Sequence, residues 1–403
     1  MFQKFHKIFI LLLLPVAFLA GFSFDRLAGE LPSEQNLSNI DLRQPGAVDF
    51  STFWDVWNLV ETKFVDRDGL DRQKMVYGAI QGLLGSLDDP YSSFLEPLEL
   101  QSFKDELQGS FDGIGVEIGL RDEVLTVIAP LQGTPAQVAG LEAGDRILAV
   151  GGESTVDLTL DEVVSLIKGP KGSEVTLTVL KENEEGAKDI RIVRDEIEVP
   201  VLESEIKDGY AYIWVYDFTE NIDVEFKKAV NQVLEENAKG LILDLRNNPG
   251  GYFERAIDLA GWFLKKGEVV VYEDYGGEEK VAHYSSGPAK LGEMPLVVLI
   301  NEGSASSSEI LAGALKDHQK AKLVGEKSFG KGLIQQLFGL EKNASVKLTI
   351  AKWLTPLGHS IEKEGITPDF EASYTLEDFN AGRDPQKEKA VEILKAMING
   401  ESL

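Results

Sequence analysis

Apolar and polar positions follow several different rhythms along this chain. Residues 8–24 form an apolar run broken only by Pro15, Gly21 and Ser23, behind Lys4 and Lys7. That is the layout of an export signal, and its length lies within the range of about 17–25 residues that a spanning helix can use. Over 50–64, Phe53, Trp54, Val56, Trp57 and Val60 recur at helical spacing. A second helix is predicted over 71–87, ended by Asp88-Asp89-Pro90, because the residue before proline avoids the α region. The aromatic stripe points to packing or a dimer surface rather than to a cofactor. After Gly113 the texture changes to short strands at 116–119, 124–128, 147–150 and 175–179. A short helix starts at Pro135, and a longer one runs from a Thr159-x-x-Glu162 capping box to Gly169-Pro170. Beyond Tyr210, strands at 211–215, 241–245, 269–272, 296–300 and 323–324 alternate with helices at 222–237, 254–265 and 306–317, the pattern of an α/β layer structure. Glu182 to Glu185 reads as a solvated turn, and no repeat of 20–50 residues is visible.

The leader places the rest of the chain outside the cytoplasm. A cut after Ala20 would set bulky Phe18 where a small residue is wanted, which favours an uncleaved anchor; a cut after Ser23 stays open. At 403 residues the chain exceeds one ordinary core, at roughly 100–200 residues per domain. Its 40 basic residues against 67 acidic ones leave a net charge of −27, which repels nucleic acid. With no cysteine, disulfides, thiol nucleophiles and cysteine-bound zinc are excluded, and four histidines leave little for a metal centre. No metal or cofactor is expected. Chemistry must come from Ser, Lys, Asp, Glu or the backbone.

The β-rich stretch resembles a PDZ domain, with Gly113-Ile114-Gly115-Val116 where that family has its carboxylate-binding loop and Gly140-Leu141-Glu142-Ala143-Gly144-Asp145-Arg146-Ile147 behind it. Successive N–H groups freed by two glycines form an anion cradle, and the following strand edge accepts an extended peptide. Ile114, Val116, Val163 and Ile167 are the expected apolar walls for its last side chain.

Three further segments carry candidate chemistry. The strand at 296–300 runs into Asn301-Glu302-Gly303-Ser304-Ala305-Ser306-Ser307-Ser308-Glu309 and then a helix, which sets a serine at a positive helix N-terminus. The strand at 241–245 ends in Arg246-Asn247-Asn248-Pro249-Gly250-Gly251, a source of exposed N–H groups for an oxyanion. The third is Gly325-Glu326-Lys327-Ser328-Phe329-Gly330-Lys331-Gly332, a glycine-flanked lysine before an apolar strand.

Together these segments resemble the carboxyl-terminal processing peptidases, tail-specific serine proteases with a Ser/Lys pair. The resemblance runs from the helix at Phe50 to Gly365-Ile366-Thr367-Pro368-Asp369. It implies Ser306 as nucleophile, Lys331 as general base 25 residues later, and Gln335 beside it. Oxyanion donors would be the N–H of Ser307 and of Gly250 or Gly251. Lys331 would have to be largely neutral near about pH 7–8 against a reference pKa of about 10.4, a cost of roughly 4 kcal/mol that burial must impose. Glu326 is its candidate acidic neighbour. Rival motifs fail: Gly332 stands where a P-loop needs Ser or Thr, and Ser165-x-x-Lys168 and Ser360-x-x-Lys363 lack the companion motifs of penicillin-binding enzymes. His318 lies twelve residues along the same helix as Ser306, about 18 Å away, and His283 and His359 sit in no motif.

The expected organisation is a signal or anchor over 1–24, helices over 48–108, an inserted PDZ domain over 109–198, an α/β peptidase core over 199–376 with the crotonase or Clp-protease layering that the resemblance implies, and a helical tail over 377–403. The expected function is an extracytoplasmic, membrane-anchored serine endopeptidase that takes protein C-terminal tails, with possible self-association through its terminal helices. The alternative is a catalytically silent PDZ adaptor or chaperone.

Overall fold

The computed structural model describes residues 48–401 apart from 122–123, 157, 159, 182–185, 278, 376 and 379–380. The leader run, Thr159 of the expected capping box and the acidic turn at 182–185 lie outside the described residues. Among the described residues no helix is long and apolar enough to cross a membrane.

Two units meet between Arg72 and Gln73. In the first, α1 (Ser51–Lys63) forms where the aromatic spacing predicts it. Phe53, Trp54 and Trp57 meet one another edge-on or tilted at 5.0–6.3 Å between ring centroids, yet none of the helix's residues is buried. The second unit begins along α2 (Arg72–Gly85), β1 (Ser93–Leu95) and α3 (Pro97–Gln108). The sequence reading missed α3, although Pro97 and Glu99 suit the first turn of a helix.

The PDZ domain follows as β2 (Ser110–Gly113), β3 (Val116–Arg121), β4 (Val124–Pro130), α4 (Pro135–Val138), β5 (Arg146–Val150), β6 (Glu153–Ser154), α5 (Leu160–Ile167), β7 (Glu174–Leu180), β8 (Lys188–Val193) and β9 (Asp195–Glu198). The main sheet runs β3-β4-β5-β7-β8, so β3 is an edge strand. Val175, Leu177 and Val179 alternate into the core as their period of two requires. Strands β2 and β9 pair antiparallel, with Ser110 opposite Glu198, so the chain enters and leaves the domain along one ladder.

The core comprises β10 (Leu202–Lys207), β11 (Tyr210–Val215), α6 (Ile222–Glu235), β12 (Leu241–Asp244), α7 (Phe253–Ala260), β13 (Val269–Asp274), β14 (Val281–Tyr284), β15 (Leu296–Ile300), α8 (Ser307–Asp317), β16 (Lys322–Gly325), β17 (Leu333–Gly339), β18 (Ser345–Leu354), β19 (Phe370–Glu371) and α9 (Pro385–Asn399). One sheet runs β10-β11-β12-β15-β16-β19, parallel except for the β10–β11 pair. Strands β12 and β15 are buried at every position because helices cover both faces. Phe226, Leu259 and Leu311 of α6, α7 and α8 fill one side, and Ile393 and Leu394 of α9 cover Ile242, Val297 and Leu299 on the other. A second sheet runs β1-β18-β13-β14 with β17 paired to β18. Helix α7 stops five residues before the expected end, where Gly261 and Gly287 pack backbone to backbone and a Cβ on Gly287 would meet Gly261 O at 1.8 Å.

Candidate active site

Strand β15 turns sharply into α8, and the turn is shaped by serines with different tasks. Ser304 Oγ donates to Leu245 O at 2.7 Å and accepts Asn301 N–H at 3.0 Å, while Ser308 Oγ donates to Asn248 O at 3.0 Å. Both are fully buried. Ser306 is half-buried, sits at the N-cap of α8 and holds φ 54° and ψ −116°, a region that costs a non-glycine residue strain. A strained strand-to-helix turn presents its side chain outward, beside the free N–H groups of the helix start.

The loop after β12 closes against this turn. A Cβ on Gly250 (φ 110°) would lie 2.7 Å from Ser306 Cβ and 3.0 Å from Ser307 N, so only glycine allows the approach. Gly250 N–H donates to Asn248 Oδ1 at 2.9 Å, and Asn248 Nδ2 donates to Val215 O at 2.8 Å. With Gly250 committed, Gly251 is the glycine whose N–H remains as the candidate partner of Ser307 N–H. Asn247 and Asn301 bridge the two loops, since Asn247 N–H donates to Asn301 Oδ1 and Asn301 Nδ2 to Asn247 Oδ1, both at 2.8 Å.

Lys331 stands between β16 and β17, directly before the apolar strand that the sequence predicts. A Cβ on Gly330 would be 2.9 Å from Gly365 N, and one on Gly332 would be 2.7 Å from Glu362 N, so the flanking glycines do permit close packing. Trp353 Nε1 donates to Lys331 O at 2.9 Å. The ammonium has no hydrogen-bond partner among the described residues; the Tyr91 ring centroid lies 5.2 Å from Nζ. Burial, and then the Lys347 charge, push its pKa below the ordinary lysine value, against an opposite pull from Glu309 and Asp89.

Glu326 is not the lysine's acidic neighbour, as expected above: its Oε2 accepts Gln386 Nε2 at 3.0 Å. Glu309 holds that place. Its carboxylate accepts Ser306 N–H (2.9 Å), Ser328 Oγ–H (2.6 Å), Gly330 N–H (2.7 Å) and Lys331 N–H (3.0 Å), and burial raises its pKa despite those donors. Sequence reasoning gave Glu309 no role, although the Ser306-x-x-Glu309 spacing carried a capping signal. Gln335 does not bond the lysine either; its Nε2 donates to Thr349 Oγ1 at 3.3 Å.

Ser306, Lys331, Gln335, Gly250 and Gly251 all border one cavity of about 840 Å³. Five consecutive residues, Leu333–Leu337, also border it. Successive strand residues face opposite ways, so such a run presents the free backbone edge of β17. Two of the histidines have partners of their own: His283 Nε2 meets Glu273 Oε2 at 2.9 Å and His318 Nε2 meets Val269 O at 2.7 Å. Among the described residues no cluster of His, Asp and Glu could hold a metal ion.

The six predicted peptide-binding residues come together in the PDZ domain, but three of the four expected apolar walls are closed. Ile114, Val163 and Ile167 are 1%, 1% and 5% exposed in one core, while Val116 is half-buried on edge strand β3. Ile114 O and Gly115 O accept Ala136 N–H (2.8 Å) and Leu131 N–H (3.0 Å). Gly115 has φ 71°, and a Cβ there would meet Thr134 at 2.5 Å. Gly113 pairs with Asp195 of β9.

A parallel α/β layer with a strained serine on a strand-to-helix turn, joined to a PDZ domain through a two-stranded ladder, defines a PDZ-bearing α/β peptidase. Comparison with known proteins agrees. The peptidase family S41 profile matches residues 209–372, a PDZ profile matches 126–181, and the profile of the activating protease CtpB N-terminal domain matches 28–97. A carboxyl-terminal-processing protease of Picosynechococcus sp. is 41% identical over 78% of this chain and 76% of its own length. The carboxy-terminal processing protease CtpA of Bacillus subtilis is 39% identical over 75% of this chain and 65% of its own. Among solved structures, the photosystem II D1 C-terminal processing protease superposes at a TM-score of 0.50, with 29% identity over 80% of this chain and 92% of that one. The chain belongs to the carboxyl-terminal processing proteases of peptidase family S41.

Proposed function

We propose that this protein is an extracytoplasmic serine endopeptidase that captures protein C-terminal tails on its PDZ domain and cleaves by a Ser/Lys acyl-enzyme mechanism. The observation that carries the reading is the pairing, in one cavity, of a strained, outward-facing Ser306 with a Lys331 ammonium that burial disposes to lose its proton. Neutral Lys331 Nζ takes the Ser306 Oγ proton as Oγ bonds the scissile carbonyl carbon. The oxyanion is met by the N–H groups of Ser307 and Gly251. As the C–N bond breaks, Lys331 returns the proton to the leaving amine; neutral again, it takes a proton from the water that attacks the ester and passes it to Ser306 Oγ as the acyl C–O bond breaks. The substrate segment lies extended along the open edge of β17. Gln335, tied to Thr349, shapes that edge rather than holding the lysine. Gly113, Ile114, Gly115 and Val116 receive the tail's carboxylate, with Val163 and Ile167 moving to admit its apolar side chain.

Export and anchoring rest on the leader of residues 8–24. Self-association falls to α1, whose aromatic face buries nothing, because α9 packs its apolar face on the core sheet. The decisive test is hydrolysis of an unstructured protein with an apolar C-terminus. Ser306→Ala should abolish cleavage while leaving fold and tail binding intact. Undiminished cleavage by that variant would sink the mechanism, and no cleavage by the wild type would favour the silent adaptor.

A further inference from the structure

A buried ionic cluster next to the Gly250 loop takes part in no step above. Arg246 lies two residues beyond β12 and two before Asn248. Its Nε contacts both Asp244 carboxylate oxygens at 3.0 Å, and its Nη2 donates to Asp244 Oδ2 at 2.7 Å. Nη1 and Nη2 reach Asp384 Oδ1 and Oδ2 at 2.9 Å each, and Nη1 also donates to Gln386 Oε1 at 3.0 Å. Tyr212 OH donates to Asp244, and Arg246 N–H returns to Asp244 Oδ1 at 3.0 Å. Asp384 is the N-cap of α9, where it accepts Lys387 N–H at 2.9 Å. Gln386 is fully buried and donates to Ala372 O at 2.9 Å.

The first turn of the C-terminal helix is therefore bonded to the loop that carries Asn248, Gly250 and Gly251. Helix α9 does not need this cluster to pack, since Ile393 and Leu394 already bury against the sheet. A buried ion pair is also a poor source of net stability compared with apolar packing of the same volume. What it supplies is fixed geometry, because a guanidinium fork meets planar partners in one orientation.

We propose that α9 is a positioning element of the active site: Asp384 and Gln386 hold Arg246, and Arg246 with Asp244 sets the backbone path that presents the oxyanion donors. None of these side chains touches substrate. The linkage runs from Asp384 to Arg246, along the chain to Asn248, and through Asn248 Oδ1 to Gly250 N–H. This rests on the reading of Ser306 as nucleophile.

The test uses the full chain and a short peptide substrate. Asp384→Asn keeps a good helix cap but removes the charge that pairs with Arg246. Gln386→Met removes the amide at nearly constant volume. Leu394→Ala loosens the same helix without touching Arg246. A misplaced oxyanion donor should lower kcat about ten- to a hundredfold in the first two variants, with KM within about twofold. Affinity for a peptide aldehyde, whose adduct places an oxygen at the oxyanion position, should fall by a similar factor. Leu394→Ala should lower Tm yet keep kcat at temperatures where it is folded, and Asp384→Glu should recover part of the loss. Should Asp384→Asn not fold, Gln386→Met carries the same comparison. Unchanged kcat and aldehyde affinity in Asp384→Asn and Gln386→Met would overturn the inference, as would an equal kcat loss in Leu394→Ala. A wild type without Ser306-dependent hydrolysis would overturn the proposed function and this inference with it.

Discussion

Glu309 ties Ser306 and Lys331 to one carboxylate, since two of its four donors are their backbone N–H groups. In Glu309→Gln the amide nitrogen would turn towards Ser328 and Gly330. Ser328 Oγ already accepts Ile366 N–H at 2.7 Å, so the new group leaves Gly330 N–H without its acceptor. We expect a loss of about 1–3 kcal/mol in stability, read from denaturant unfolding, and a fall in kcat larger than any change in KM. The proposed role of Lys331 as base makes its own demand. Lys331→Arg should be inactive, because a guanidinium stays protonated. In the wild type, burial moves the lysine's titration downwards, so the neutral, active form gains population as pH rises through a range below the ordinary lysine pKa of about 10.4. Removing the nearby cation in Lys347→Met should shift that limb to higher pH, and Asp89→Asn should shift it lower. A pH–rate profile that ignores both changes would argue against Lys331 as the titrating group.

At the scale of elements, the edge strand β3 and helix α5 share a filled core in which Ile114, Val163 and Ile167 are all buried. A tail must therefore draw most of its initial affinity from its carboxylate and from main-chain pairing, before any apolar pocket opens. Amidating the last residue of an Ala- or Val-ended peptide should weaken binding about tenfold or more, and ends in Asp or Lys should also bind worse. Titration calorimetry on the full chain with Ser306→Ala would measure both, and equal affinity for amidated and free tails would dismiss the cradle at Gly113 to Val116. Helix α9 should carry an acid sensitivity of its own. Burial of Asp384 would raise its pKa, but bonds to Arg246 and Lys387 N–H outweigh this and hold it below the usual value. The unfolded chain then binds that proton more readily. The stability from Asp384 is fully present above the ordinary carboxylate pKa of about 3.9 and is lost as pH falls from there through the lowered folded-state value. The Tm gap between wild type and Asp384→Asn should accordingly narrow on acidification.

At the scale of the whole second unit, the PDZ domain and the peptidase core share more than the β2–β9 ladder. Helix α3 borders the Ser306 cavity through Phe103 and Leu107, and a second cavity of about 440 Å³ beside the PDZ domain through Ser102 and Asp105. Asp105 lies 3.7 Å from Lys168, just past the end of α5, and Gly109 (φ 72°) turns the chain out of α3 into β2. On the proposed reading, a tail bound beside α5 would have one short helix between it and Ser306 and Lys331. The expectation is that a non-cleavable Ala-ended peptide changes the hydrolysis rate of a separate short substrate, with half-effect at the peptide's own binding constant. A rate indifferent to saturating peptide would leave the PDZ domain as a tether.

The amino-acid sequence by itself determined the alternation of strands and helices in the core, the PDZ insertion and the identity of Ser306 and Lys331 as candidates, because these are recorded locally. Helical periodicity gave α1, a continuous apolar run gave β12 and β15, and glycines marked where backbone had to approach backbone. Long strand β18 was overlooked although Val346, Leu348 and Ile350 alternate with Lys347 and Thr349 as a strand requires, and helix α3 escaped because its sparse leucines mark no single face clearly. Which acid serves the lysine was also illegible. Glu326 is closer to Lys331 in sequence, but the return of the chain through β16 brings Glu309 of α8 to its backbone and sends Glu326 to Gln386. Likewise only the fold decides that Gly250 N–H is occupied by Asn248, that Gln335 answers to Thr349, and that a helix beginning at Pro385 braces a loop beginning at Leu245. Local patterns record what each segment does with its own backbone and its own apolar face. Hydrogen bonds between side chains far apart in sequence depend on where tertiary packing delivers them.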